Sequence, residues 1–499
     1  MRRSVFLPVL VPVLLGLGGC LLGPNYVRPT VETPATFRFE SGEAAEVANA
    51  AWWEQFQDPV LNELIATALA DNKDIKIAAA RVDQFMGQFV TTRAGLFPQV
   101  SAGVQAGRER ESQAGPLPLP AGQSPVFNDF QQSISASWEI DLFGKVRRET
   151  EAARASLLAS EEGRRAVILS LVASVATSYI NLRSLDQQLA IAKATTESRL
   201  ESVHVFTLRF AGGDVSQMEL AQSESEYEAS AATIPQLETQ IAQQEDALSV
   251  LMGHNPGDIL RGRQLSELTI PAVPAGLPSD LLERRPDLLQ AEQNLVAANA
   301  LIGAARALYF PSISLTGLFG SASGEFSKLF QGPAKIWAYA GSLTVPIFTA
   351  GSISGQVKQA EAQQQQALIQ YQQAIQVAFG EVDDALIGLQ KSREQLVVIG
   401  RQVDALRTYA RLARLRYEGG YTSYIEVLDA ERSLFNAQLT YTQTSGTVFN
   451  SAIALYKAMG GGWVVTAEKM TNKDSQQPDS QQPADAGVKV NQAVAGLAR

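Results

Sequence analysis

From Phe130 to Leu142 the chain alternates. Phe130, Ile134, Ala136, Trp138, Ile140 and Leu142 share one parity, with Gln132 the polar exception. Gln131, Ser133, Ser135, Ser137, Glu139 and Asp141 hold the other. A period of two over this length predicts a strand with one apolar and one polar face. Trp337, Tyr339, Gly341, Leu343, Val345 and Ile347 repeat the pattern against Ala338, Ala340, Ser342 and Thr344. Weaker alternation at 100–106 and 313–319 supplies each with a partner, across turn-rich stretches at 115–120 and 320–324. Two hairpins follow, with strands of about ten residues, the length and alternation of an outer-membrane barrel with a wet lumen. A soluble sandwich hairpin alternates in the same way. Four strands alone, however, make neither a closed barrel nor a sandwich core.

Elsewhere the period is helical. Leu61, Leu64, Ile65, Ala68 and Leu69 share one face of a helix that starts at Asp58-Pro59 and is predicted to reach Leu96. A counterpart runs from Leu282 through Arg284-Arg285-Pro286-Asp287 to Leu308. Each ends in Phe-Pro, at Phe97-Pro98 and Phe310-Pro311. Two much longer helices, 145–210 and 352–417, contain no proline. Each spans roughly 100 Å at about 1.5 Å per residue. In the second, Ile375, Phe379, Val382, Leu386, Leu389, Leu396, Ile399, Val403, Leu406, Ala410, Ala413 and Tyr417 form a heptad seam that must pack on another helix. Return helices are predicted at 215–252 and 423–459, with Pro235 expected to kink or split the first.

The chain is an internal duplication. Arg209, Phe210, Gly212, Gly213, Ser216 and Glu219 stand 207 residues before Arg416, Tyr417, Gly419, Gly420, Ser423 and Glu426. Each copy reads as a helix end, a glycine break, an N-cap and a second helix. The predicted plan is a tether at 20–58, one repeat at 59–262, a second at 263–462, and a disordered tail at 463–499. The tail repeats Asp-Ser-Gln-Gln-Pro at 474 and 479. In the tether, Trp52, Trp53 and Phe56 either dock it onto the body or serve as ordinary core aromatics.

Composition narrows the chemistry. Net charge is −10 among 499 residues, which argues against a nucleic-acid partner. One cysteine and two histidines leave no basis for a disulfide, a His-based metal site or a hydrolytic triad. No phosphate-cradling Gly-Lys loop or His-Glu-x-x-His run is present. Neither a catalytic residue, a cofactor nor a metal is expected. Arg2-Arg3 and the apolar run that follows form a signal peptide over 1–19. It ends Leu17-Gly18-Gly19-Cys20, which resembles a bacterial lipobox, so Cys20 is the expected site of acylation, palmitate included. Leu21 stands where aspartate would signal inner-membrane retention. No second apolar run reaches the ~18 residues of a membrane helix, so any crossing is by strands.

A lipidated, duplicated chain with strand hairpins and very long helices resembles the outer-membrane factor family, the TolC/OprM-type channels. The residues that carry the resemblance are Gly23-Pro24-Asn25-Tyr26-Val27-Arg28-Pro29, Trp52-Trp53, Asp58-Pro59-Val60-Leu61, Arg284-Arg285-Pro286-Asp287-Leu288, and Arg416-Tyr417 with Gly420 and Val427-Leu428-Asp429-Ala430. The start looks most like the lipoprotein branch of RND-type tripartite efflux systems. The resemblance implies a homotrimer whose four strands per chain form a 12-stranded outer-membrane barrel, continued by a periplasmic α-helical barrel. It implies a passive exit duct for drugs or other small solutes, with a periplasmic adaptor and an inner-membrane proton-driven pump as partners. It places Glu426, Asp429 and Glu219 on acidic pore-gate positions and Tyr417 on a gate-locking tyrosine. Arg209, Gly212, Gly213, Arg416, Gly419 and Gly420 fall in the tip turns that meet the adaptor. Thr422 replaces an arginine that some members use in the lock. A type I protein secretion channel and a pore-free periplasmic coiled-coil scaffold are the alternative readings.

Overall fold

The computed structural model describes residues 21–31, 33–34, 36–39, 51–112, 124–271, 278–460 and 463–471. The signal segment with Cys20, the 115–120 turn and the Gln-Pro repeats of the tail lie outside them. After a short 3-10 helix, Trp52–Phe56, come α1 (Pro59–Asp71) and α2 (Lys73–Ala94). Strands β1 (Gln99–Arg110) and β2 (Val126–Ile140) lead into α3 (Lys145–Ala211) and α4 (Gln217–Leu251). The second half runs α5 (Leu281–Arg284), α6 (Pro286–Ala307), β3 (Ser312–Ser323), β4 (Lys335–Thr344), α7 (Ser352–Glu418) and α8 (Tyr424–Ala458). A last helix, α9, covers Trp463–Thr471. Helices α3 and α7 are each 67 residues, and α4 and α8 each 35, so the duplication holds to the residue.

The chain forms two compact units, and each takes a segment from both repeats. One gathers Met1–Ala35, Ile77–Arg164 and Pro278–Phe379, the other Thr36–Lys76, Arg165–Leu277 and Gly380–Arg499. The split falls within α2, α3 and α7, because helices this long carry each repeat out of one unit and into the other.

The first unit holds an antiparallel sheet in the order β1-β2-β3-β4, with β2 joined to β3 across the repeat boundary. The register aligns the apolar parities. Ala102, Ile134, Phe319 and Trp337 form one row, and Val100, Ala136, Gly317 and Tyr339 the next. This face is bare, with Val104 83%, Trp337 69% and Tyr339 81% exposed. On the opposite face Ser101 and Ser135 hydroxyls bond at 2.8 Å, and Ser314 and Ser342 at 2.7 Å. Strand β3 runs on through Gly320, which was expected in the turn. A Cβ there would meet the Gln132 carbonyl oxygen at 2.1 Å, so this glycine serves close strand approach rather than chain reversal. Strand β4 stops at Thr344, short of Val345 and Ile347, where Pro346 has no N–H for the ladder.

In the same unit the residues after Cys20 run as an irregular strap clipped to helices. Arg148 is 1% exposed and donates to the carbonyls of Leu22 and Gly23 and to Asn25 Oδ1. Asn299 donates to the Pro24 carbonyl, and Tyr26 and Arg28 both donate to Glu292.

The second unit has the larger core. Trp52, Trp53 and Phe56 are buried in it, with Trp52 stacked on Tyr456 at 5.3 Å and Trp53 edge-on to Trp463 at 5.5 Å. The 3-10 helix therefore docks the tether, and its aromatics are core at the same time. Trp463 belongs to the stretch expected to be disordered. Residues 463–471 are instead helix α9, ordered because Trp463, Val464 and Ala467 join this core. One stretch of α3 is apolar enough to cross a membrane by composition, contrary to expectation, yet its Ile168, Val172, Val175, Ala176 and Ile180 are buried among these side chains.

Two other helix expectations change, and a third is narrowed. The helix from Pro59 breaks at Asn72, whose Oδ1 accepts from the N–H groups of Asp74 and Ile75 while its amide donates to the Leu251 carbonyl. Its counterpart breaks at Arg285, held as a fork on Asp287 at 3.0 and 2.7 Å. Helix α4 runs through Pro235 without splitting, with Ile234 and Leu237 packed on Phe435 and Ala192 across the site of the lost hydrogen bond. In α7, Val382, Leu386, Leu389, Ile399, Val403 and Ala413 of the heptad seam are buried.

Candidate functional site

The two glycine turns of the second unit close identically. Gly213 and Gly420 have φ of 83° and 76°, a left-handed conformation that glycine adopts without a Cβ clash. Gly213 N–H donates to the Phe210 carbonyl at 3.0 Å and Asp214 N–H to that of Arg209 at 2.9 Å. Gly420 N–H donates to Tyr417 and Tyr421 N–H to Arg416, each at 2.9 Å. Both are Schellman ends, which satisfy the last helical carbonyls and reverse the chain. Gly212 and Gly419 precede them with N–H bonds to Leu208 and Leu415.

The helices that leave the turns differ. Ser216 and Glu219 form a capping box, with Ser216 N–H to Glu219 Oε2 at 2.9 Å and Glu219 N–H to Ser216 Oγ at 3.3 Å. Glu219 is thereby committed to its own helix start. Ser423 makes no side-chain cap, and Glu426 lies 3.8 Å from Arg416 instead. No bond among the described residues joins Glu219 to Glu426 or Asp429.

Asp429, one turn beyond Glu426, pairs with Arg432 at 2.8 Å. Arg432 also stands 4.0 Å from Glu226 of α4. Glu226 is gripped by Arg199 of α3, through its carboxylate at 3.2 Å and its main-chain carbonyl at 2.6 Å. Arg199 is 6% exposed and lies over the Phe435 ring. Burial pulls the Arg199 pKa down, and Glu226 opposes the shift. Arg414 pairs with Glu431 at 2.6 Å.

Tyr417 packs in an aromatic cluster. Its ring lies 5.1 Å from Tyr424 and 6.2 Å from Phe206, and those two stand 4.1 Å apart. Val427, Leu428 and Ala430 complete this core at the turns. Burial, and then Glu431, push the Tyr424 hydroxyl pKa up. Arg414 and Arg416 on the same helix are engaged by Glu431 and Glu426. Arg209 and Arg416 are exposed beside their glycines.

Sequence reading named the turns and both α8 acids; it did not name Arg199, Glu226, Tyr424 and Arg432, which the fold places beside them. Asp429 and Arg432 are three apart on one helix, a spacing that signals a pair. Nothing in the sequence joins residue 199 to residue 226. Among the described residues no three His, Cys, Asp or Glu side chains converge as a metal site.

The profile of a family described as outer membrane efflux protein matches residues 64–254 and 277–461. The chain is 36% identical over 482 residues to the probable efflux pump outer membrane protein TtgC of Pseudomonas putida KT2440, covering 94% of this chain and 97% of that one. It is also 36% identical over 457 residues to the cation efflux system protein CusC of Escherichia coli CFT073, covering 90% and 97%. The crystal structure of the open state of the Neisseria gonorrhoeae MtrE outer membrane channel matches with a TM-score of 0.80 at 33% identity, covering 89% of this chain and 99% of that one. A CusC crystal structure matches with a TM-score of 0.79 at 34% identity, covering 89% and 100%.

Proposed function

Since the chain belongs to the outer membrane efflux protein family, we propose that three copies close their four-stranded sheets into one 12-stranded barrel that serves as the outer-membrane exit duct of a tripartite efflux system. The observation that carries this is the sheet itself. Strands β1 and β4 end it, and on its apolar face Val100, Val104, Ile134, Phe319, Trp337 and Tyr339 are exposed. In a bilayer an open strand edge leaves several N–H and C=O groups without partners, and closure removes both edges. The apolar face then meets lipid, and the serine-rich face lines a wet lumen.

The helical unit is the periplasmic part. Its paired Schellman turns form the tip that meets a periplasmic adaptor, and Glu426 and Asp429 line the pore there. Cys20 carries the lipid anchor at the outer membrane. The duct does no chemistry, and an inner-membrane proton-driven pump supplies the energy. Relatives with the same identity to this chain are named for toluene and for cation efflux. Overall similarity therefore does not choose between them, and the reading is of a conduit for small solutes selected by the pump.

The test is fractionation of cells that express the full chain, with semi-native gels of the outer membrane. A heat-modifiable trimer in that fraction, together with restored solute resistance in a strain lacking its outer-membrane channels, is the expected result. A monomer in the periplasmic fraction would overturn the proposal. Restored protein secretion without restored resistance would favour the type I export reading.

A further inference from the structure

We infer that Arg432 is a two-position counter-ion that sets the charge Asp429 presents to the pore, with Glu226 as its second seat. The inference rests on the reading that Asp429 faces the pore, and goes beyond it by naming what tunes that acid. Three observations on one helical unit carry it.

First, one guanidinium is shared by two carboxylates on different helices. Arg432 lies 2.8 Å from Asp429 on its own helix and 4.0 Å from Glu226 on α4. Glu226, Glu426, Asp429 and Arg432 line one cavity, so both carboxylates lie within reach of the one guanidinium. Second, the two seats differ in rigidity. Asp429 and Arg432 are 52% and 56% exposed, whereas Glu226 is 19% exposed and held by Arg199 at both its carboxylate and its carbonyl. Glu226 is thus a held acceptor and Arg432 a solvent-exposed donor. Third, an exposed i,i+3 pair is weak in water, because solvent and side-chain entropy offset most of the attraction. Arg432 can therefore leave Asp429 at little cost, provided a second carboxylate receives it.

With Arg432 on Asp429, the acid is largely neutralised toward a passing ion. With Arg432 on Glu226, Asp429 is bare and the pore is more attractive to cations. A cation that approaches Asp429 repels Arg432 toward Glu226, so entry itself exposes the acid. Glu226 is a positioning residue here, and Arg199 positions Glu226 in turn.

The experiment uses the purified full-length trimer in planar bilayers, read as the cation-to-anion permeability ratio and as block by a trivalent cation. Arg432→Gln leaves Asp429 bare and should raise the ratio about twofold or more, with tighter block. Glu226→Gln removes the second seat, holds Arg432 on Asp429, and should lower both by a similar factor. Arg432→Lys keeps the charge and should stay near wild type. Loss of one basic or one acidic side chain near the pore would by itself give these opposite signs, so the signature is their dependence on Asp429: in an Asp429→Asn background both neutral variants should lose their effect. The heat-stable trimer band checks that each variant assembles. Asp429→Asn separates the two readings. If it leaves selectivity unchanged, the pore-facing reading fails. If it lowers selectivity while Arg432→Gln and Glu226→Gln move together or not at all, the counter-ion proposal fails and the pore-facing reading stands.

Discussion

Gly23 crosses directly over Gly303. A Cβ on Gly303 would stand 2.5 Å from the Leu22 carbonyl oxygen, and one on Gly23 would stand 2.4 Å from Gly303 Cα. Gly23 also has φ of 87°, which disfavours any side chain. The strap thus joins α6, which leads into β3, to α3, which follows β2. It ties the two repeats together next to the strand pair that spans them. Gly303→Leu should displace the strap, and Gly303→Ala should cost about 1–3 kcal/mol through overpacking. Thermal unfolding of detergent-solubilised protein measures this. An unchanged midpoint for Gly303→Leu would show that the crossing contributes nothing.

The register makes a sharp claim about adjacent residues. Ile134 is on the apolar face and Ser135 on the serine face. Ile134→Arg near the bilayer midplane should cost roughly 2–4 kcal/mol, and Ser135→Arg close to nothing. Trimer yield in the outer-membrane fraction reads both. Equal loss from the two would overturn the assignment of faces.

For Cys20 the expectation concerns labelling and targeting separately. One acyl chain binds membranes only marginally, while several anchor stably. Cys20→Ser should abolish palmitate incorporation yet leave partial insertion, because the barrel supplies most of the membrane affinity. Palmitate labelling that persists in Cys20→Ser would remove the lipobox reading.

On the proposed pore lining, three copies of Glu426 and Asp429 around one axis should make the channel cation-selective. Glu426→Ala with Asp429→Ala should weaken that selectivity and abolish block by multivalent cations. Tyr417→Phe keeps the packing on Phe206 and Tyr424 and deletes only the hydroxyl, so a rise in conductance isolates a bond made by that oxygen in the closed state. Anion-selective wild-type currents would mean that these acids face away from the pore.

The tyrosines predict an alkaline limit. Burial raises the hydroxyl pKa of Tyr179, Tyr424 and Tyr456, with Asp58 adding to the shift at Tyr179. Tyrosine in an unfolded chain titrates near ~10. Each group holds its proton more tightly when folded. The stability from these groups is therefore complete below pH ~10 and is lost as pH climbs through the higher folded values. Thermal midpoints measured from pH 8 upward should stay level on this account until about 10 and then fall. A midpoint that stays level well past that point would contradict it.

The amino-acid order by itself determined the type of the long periodic elements. Alternation between Phe130 and Ile140 gave a strand, the proline-free heptads gave α7 to within a residue, and the offset of 207 residues gave two matching turns. These are local properties: side-chain parity in a strand, face repetition in a helix, and glycine at a left-handed position each act within a few residues. Tertiary structure decided what lies opposite what. Trp463 is ordered because a pocket beside Trp52 and Trp53 accepts it, and Gly320 extends a strand because Gln132 crosses it. The same holds at the glycine turns. Glu219 and Glu426 match in sequence, yet one closes a capping box while the other faces Arg416. The link from Arg199 through Glu226 to Arg432 joins three helices, and the physical reason it was illegible is that ion pairing depends on distance in space. Folding brings residues 199, 226 and 432 together, and no period along the chain encodes that proximity.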